Sequence, residues 1–238
     1  MDRIKYSRTP HLLWSPGFSS DDTIVRDCTH FNGRQIVVTE KMDGECTTIY
    51  SDGYTHARSV DSPHHPSRSW IKQLASSFAH EIPTGWRICG ENLFAFHSIL
   101  YKDLPSYFLV FGIYDENNIC LPWKETEEFC SMLRLETVPV LYRGLWNKQI
   151  IQELWNGRGR FPTFGCKVNV PSSMDDFEKC DAEGYVVRTE DGFAEEEFAT
   201  HVAKWVRPHH VQTDSHWMSK SVFANLLKTD LSNPNFGL

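Results

Sequence analysis

Thr39-Glu40-Lys41-Met42-Asp43-Gly44-Glu45 sets an amine between carboxylates, with a glycine three residues further on. A lysine attacks only as the neutral amine, so burial or neighbouring cations must lower its pKa. Gly44 would let a bulky ligand approach the backbone closely. The same residues also read as a strand-end lysine followed by an Asp-Gly turn. Lys-x-Asp-Gly arises by chance in about one chain in twenty of this length at ordinary residue frequencies. Its company must therefore decide. That company is Gly90-Glu91-Asn92 behind a strand, Phe108–Asp115 as an aromatic strand, Glu183-Gly184-Tyr185-Val186-Val187-Arg188, and Val202-Ala203-Lys204-Trp205-Val206-Arg207.

The elements that must carry these groups are short and mixed. Ile36–Thr39 and Thr47–Tyr50 are β-branched strands, and Asp52-Gly53 predicts a two-residue hairpin turn with Tyr54–Val60 returning. Trp70, Ile71, Leu74 and Phe78 mark an amphipathic helix behind the Pro66-Ser67 start signal. Trp86–Glu91 and Tyr107–Tyr114 are strands; Lys124–Arg134 and Asn147–Trp155 are helices. Ser172 or Ser173 caps a short helix running to Cys180. Tyr185–Arg188 and Val202–Val206 complete the pattern. Without a steady βαβ alternation the fold class is α+β with largely antiparallel sheet. No glycine-rich phosphate loop is present.

In this order and spacing the five segments resemble the covalent nucleotidyltransferases, the superfamily of polynucleotide ligases and capping enzymes, and within it the phage-type ATP-dependent RNA ligases. The resemblance runs from about residue 36 to 208. It implies an antiparallel-sheet adenylation domain, ATP-grasp-like, over residues 1–208. The remaining segment, 209–238, is a short appendage with no room for an OB domain. It makes Lys41 the nucleophile that takes AMP from ATP as a phosphoramidate. Glu40 falls beside the adenine N6 edge, Glu91 on the ribose hydroxyl and Phe111 on the adenine face. Glu183 holds a divalent metal, Mg²⁺ or Mn²⁺, through water. Lys204 contacts the α-phosphate, and Arg58 approaches the nucleotide phosphates or the nucleic-acid end.

Phosphoryl-type transfer needs charge neutralised on the non-bridging oxygens and the attacker aligned with the leaving group. Lys204, Arg58 and a metal ion suit the first task, and Lys41 the second. Mg²⁺ keeps several waters and needs one or two carboxylates, which Glu183 and Glu91 supply without an all-protein cage. Two features depart from the family pattern. A second lysine expected two residues after Lys204 is Val206, and Arg207 falls on the opposite strand face. The hairpin register sets Arg58 against Thr47, about 20 Å along a straight strand from Lys41, unless Lys41–Gly44 turns back.

Composition bounds the rest. The 238 residues, 40% hydrophobic and 23% charged, suit one large globular domain, and 8 Trp, 8 Tyr and 15 Phe exclude disorder. The longest apolar run, Tyr107–Tyr114, is too short to span a membrane, and the polar N-terminus lacks a signal core. A cytoplasmic protein is expected. Its 7 cysteines have no zinc spacing and read as free thiols. A net charge of −7 argues against coating nucleic acid by bulk charge. Tyr142–Lys167 nonetheless mixes bases with aromatics, as single-strand binding surfaces do, though its tryptophans also suit a core. His64-His65, His209-His210 with His216, and Glu195-Glu196-Glu197 read as loop and solvated surface. The expectation is a monomeric ATP-dependent RNA ligase that joins 3′-OH and 5′-phosphate RNA ends in repair, with an end-healing kinase/phosphatase as partner. The competing readings are a DNA or general polynucleotide ligase and a non-catalytic nucleic-acid-binding relic of the fold.

Overall fold

The computed structural model describes residues 2–156, 158–161, 163–166, 182–208 and 222–231. The capped helix expected near Ser172 and the histidines at 209, 210 and 216 lie outside them. In chain order the elements are β1 (Gln35–Lys41), β2 (Glu45–Tyr50), β3 (Thr55–Ala57), α1 (Ser69–Phe78), β4 (Arg87–Asn92), β5 (Ile99–Tyr101), β6 (Phe108–Tyr114), β7 (Ile119–Cys120) and α2 (Trp123–Leu133). There follow β8 (Glu136–Thr137), β9 (Val140–Leu145), α3 (Lys148–Glu153), β10 (Thr163–Cys166), β11 (Gly184–Thr189), β12 (Phe193–Ala194), β13 (Val202–Val206) and α4 (Lys228–Leu231).

One sheet runs β13-β11-β1-β9; a larger one runs β12-β7-β6-β4-β2-β3, with β8 parallel to β6. The other pairings are antiparallel, as expected of the α+β class. Strand alternation sorts the small sheet into two faces. Ile36 and Val38 pack with Tyr185, Val187, Ala203, Trp205 and the α3 residue Ile151. Val37, Thr39 and Lys41 fall on the other face, in register with Arg188, Val186 and Gly184. On the larger sheet, Ile49, Ile88, Phe108, Val110 and Ile113 pack against Ile71, Ala75 and Phe78 of α1. Burying each such side chain contributes about 1.5–3 kcal/mol.

Both ends of the described chain are woven into this frame. Pro10–Gly17 runs along β13: Lys204 N–H donates to the Pro10 carbonyl at 2.8 Å, Leu12 N–H to Lys204 at 2.7 Å and Gly17 N–H to Val206 at 3.0 Å. His11 pairs with Lys204 on one side and Ile24 on the other. The fully buried Asn225 donates its amide N–H to the Leu93 carbonyl at 2.7 Å and accepts from Tyr101 N–H at 2.9 Å. No helix among the described residues is long and apolar enough to cross a membrane.

Three local readings change. The hairpin turn has three residues, Ser51-Asp52-Gly53, with positive φ at Gly53 alone (79°); Tyr54 pairs back to Tyr50. The returning strand stops at Ala57, and Ala57, not Arg58, stands opposite Thr47. Trp146 and Trp155 belong to an aromatic core with Phe31, Trp14 and Trp205, so these two tryptophans of the basic-aromatic stretch are packing residues.

Candidate active site

β1 belongs to one sheet and β2 to the other, so Met42–Gly44 carries the chain across the gap between them. Lys41, the last residue of β1, stands at that crossing. The gap is a cleft of about 610 Å³ lined by Glu40, Lys41, Arg58, Glu91, Phe111 and Lys204, among others. Arg58 reaches it because the chain changes sheets after Lys41, which removes the straight-strand separation.

Lys41 Nζ lies 2.7 Å from both carboxylate oxygens of Glu183, itself buried. The pair is fixed by sheet register, since Gly184, the residue after Glu183, faces Lys41 across β11 and β1. A Cβ on Gly184 would come within 2.0 Å of the Trp205 carbonyl oxygen, so only glycine lets β13 close here. Arg207 holds the same corner: its backbone N–H donates to the Glu183 carbonyl at 3.0 Å and its Nε–H to Ala182 at 3.1 Å. Arg207 therefore braces the backbone at Glu183.

The other acids of the motif divide their work. Glu91 accepts from the Gly44 N–H at 3.1 Å, and a Cβ at Gly44 would meet the Asn92 carbonyl oxygen at 2.6 Å. Asp43 is buried and structural. Its Oδ2 accepts from Ser98 N–H, Ser98 Oγ and Ile99 N–H, at 2.7, 2.8 and 2.7 Å. Glu45 is bound through both oxygens by Arg68. Glu40 accepts from the Arg160 backbone N–H at 2.6 Å, while its buried Oε1 has no hydrogen-bond partner among the described residues.

Electrostatics follow from this crowding. Burial lowers the Lys41 pKa, but Glu183 and then Glu91 outweigh it, and the amine is held above its ordinary value. The sequence led to the opposite expectation. It counted neighbouring cations, and the fold supplies two neighbouring carboxylates. Burial, and then Lys41, lowers Lys204 instead. Burial pushes Glu91 up to about 8, against the pull of Lys41, and Glu40 up to about 7.

Lys204 shares the inner face with Val186 and Thr39, its neighbours in register across β11 and β1. Phe111 from the large sheet and Val186 from the small one both line the cleft, with Tyr6 edge-on to Phe111 at 4.9 Å. Among the described residues no three His, Cys, Asp or Glu form a metal cage. The Glu183 carboxylate, buried beside Lys41, is a hard oxygen donor of the kind that holds a hydrated divalent cation. Arg58 Nε is buried in the cleft wall with no hydrogen-bond partner among the described residues, an orphan donor suited to an anion. Tyr6, Arg8 and Asp22 also line the cleft. Sequence reasoning missed them, because nothing at the N-terminus marks which residues the fold will lay along β13.

A search of curated proteins returns no match. Among solved structures, an archaeal ATP-dependent RNA ligase is similar at 17% identity and TM-score 0.48, over 85% of this chain and 48% of its own. A Naegleria gruberi RNA ligase with PPi is similar at 16% and 0.48, over 87% and 61%. A putative ATP-dependent DNA ligase from Aquifex aeolicus is similar at 20% and 0.47, over 76% and 46%. The chain thus spans about half to three fifths of the structures it matches. The model of the RNA ligase family matches residues 34–206, from the first residues of the small sheet to the end of β13. With the five motifs converging on one cleft across that span, the chain belongs to the RNA ligase family.

Proposed function

We propose that this chain is an ATP-dependent RNA ligase working through a lysyl-AMP intermediate, joining RNA 3′-OH and 5′-phosphate ends in repair in the cytoplasm. The observation that carries the reading is Lys41 Nζ, 2.7 Å from Glu183, in a cleft that also presents Lys204, Arg58 and the ring of Phe111. The adenine lies against Phe111, with Glu40 at its N6 edge, and the ribose lies against Glu91. Lys204 and Arg58 neutralise phosphate oxygens.

Lys41 gives up a proton, for which Glu183 is the nearest acceptor, and Nζ bonds to the α-phosphorus as pyrophosphate leaves. The AMP then passes to the RNA 5′-phosphate. The 3′-OH attacks that phosphate and AMP departs. A divalent cation, Mg²⁺ or Mn²⁺, held by Glu183 with help from Glu91, supplies charge neutralisation at the phosphates when bound.

Incubation with labelled ATP and Mg²⁺ tests the reading. One AMP should appear on the peptide containing Lys41 and be absent from Lys41→Ala. Sealing should favour nicks with ribonucleotides at the 3′-OH side, since the 2′-OH is what distinguishes RNA there. An adduct that persists in Lys41→Ala would sink the assignment. Equal rates on all-DNA nicks at matched salt would make the chain a general polynucleotide ligase.

A further inference from the structure

The N-terminal stretch along β13 brings a further cation to the reacting end of the cleft. Arg8 and Asp22 line the cleft together with Lys41 and Lys204. Their places are set by backbone bonding. Lys204 N–H is held by Pro10, and Thr23, next to Asp22, is tied to His11, whose N–H donates to its carbonyl at 2.7 Å. Val25 N–H returns a bond to the His11 carbonyl at 2.9 Å. Lys204, His11 and Ile24 therefore lie side by side as three parallel plies.

Across these plies Asp22 meets its cationic neighbours only at long range. Asp22 stands 3.8 Å from Lys204 Nζ, 4.0 Å from Arg8 and 3.6 Å from the Nε2 of His11. All three separations exceed hydrogen-bond length. His11 is buried, and its Nε2 has no hydrogen-bond partner among the described residues. Arg8 is exposed and donates to the Asp21 backbone carbonyl at 2.6 Å and to its carboxylate at 3.3 Å. Lys204 and Arg8 both stand within 4.0 Å of Asp22 Oδ1, so a polyanion that meets Lys204 has Arg8 nearby. The loose contacts to Asp22 are the ones it would displace.

We propose that Arg8 binds the β- and γ-phosphates of ATP and orients pyrophosphate as the leaving group, with Asp22 covering this subsite when no nucleotide is bound. The inference rests on the ligase reading above. In the step concerned, the Lys41 Nζ–phosphorus bond forms as the bond from the α-phosphorus to the bridging oxygen breaks. That oxygen departs with the electron pair in pyrophosphate, and the ammonium proton passes to Glu183 or to water. Such a departure needs positive charge on the far side of the phosphorus from Lys41. The motif lysine expected at position 206 is a valine here. Arg8 supplies a guanidinium, which suits adjacent phosphates through its planar fork.

The two half-reactions separate this role from a general one, because pyrophosphate takes part only in the first. Arg8→Ala should transfer AMP from ATP to Lys41 about 10–100-fold more slowly, the loss of a charge-assisted bond. It should still seal RNA supplied with a pre-adenylylated 5′ end at a rate close to that of the unsubstituted chain. Arg8→Lys should recover part of the first rate. Inorganic pyrophosphate added to the AMP-loaded protein should strip AMP from Arg8→Ala less readily than from the parent. Unchanged AMP transfer in Arg8→Ala overturns the proposal, and so does an equal loss in both half-reactions. If the unsubstituted chain takes no AMP but seals pre-adenylylated RNA, the lysyl-AMP reading fails and this inference with it.

Discussion

Lys41 and Glu183, 142 residues apart in the chain, meet as a buried pair with the amine 2.7 Å from both carboxylate oxygens. The contact favours the charged amine, the form that cannot attack an electrophile. Glu183→Gln removes the largest influence raising the Lys41 pKa. At pH 8 the variant's Lys41 should react faster with an amine-modifying reagent. AMP transfer from ATP should nonetheless fall by two orders of magnitude or so, since the carboxylate proposed to hold the divalent cation is gone. Peptide mapping after brief modification checks the first outcome. Slower modification would show that Glu183 does not hold the proton on Lys41.

Phe111 should act on binding more than on chemistry. A base stacked on an aromatic ring is worth about 1–3 kcal/mol. Phe111→Ala should therefore raise the KM for ATP about tenfold while lowering kcat much less. Equal losses in both would point to collapse of the Phe111–Tyr6 packing rather than loss of a stacking platform.

Glu40 gives a pH-dependent stability. Burial raises its folded-state pKa to about 7 from an ordinary 4.5, so the folded chain prefers the protonated form. That contribution is complete below about pH 4.5 and is lost as the pH rises through about 7. Glu40→Gln, which cannot ionise, should gain about 1–3 kcal/mol on the parent chain between pH 5 and pH 8. Denaturant midpoints at the two pH values measure it. An equal gap at both would mean that Glu40 is already ionised when buried.

Gly184→Ala should destabilise by about 1–3 kcal/mol, because the new methyl meets the Trp205 carbonyl oxygen and forces β13 off β11. Thermal unfolding checks it. An unchanged midpoint would show that the two strands part without cost.

Much of this architecture was legible from periodicity and residue type. The strands bearing Lys41, Glu91, Phe111 and Lys204, and the three longer helices, fall close to where apolar spacing puts them. Short pairings such as Ile99–Tyr101 with Thr163–Cys166 escaped, because two to four residues cannot display a period. Val140–Leu145 escaped as an edge strand whose residues are mostly exposed or half-buried. The roles of the site acids were only partly legible. Asp43 and Glu45 carried no assigned role in the sequence, and the fold uses one to tie down the Ser98 backbone and binds the other to Arg68. The Lys41 pKa was misjudged because its controlling neighbour lies on β11's approach, distant in sequence. The contribution of the first 25 residues depends on which edge of a sheet they join, and only tertiary structure decides that.

The β1–β11 pairing that aligns Lys41 with Gly184 also bears on how the chain folds. It closes a loop of more than 140 residues, and such non-local contacts form slowly because their closure entropy precedes any gain. The large sheet and its two helices are built mostly from residues 45–137, a more local set. During refolding, that half can mature while the Lys41 amine still lacks its carboxylate. Competence to accept AMP would then lag behind the recovery of helix and sheet signals, making self-labelling a clock for the final joining of the two halves.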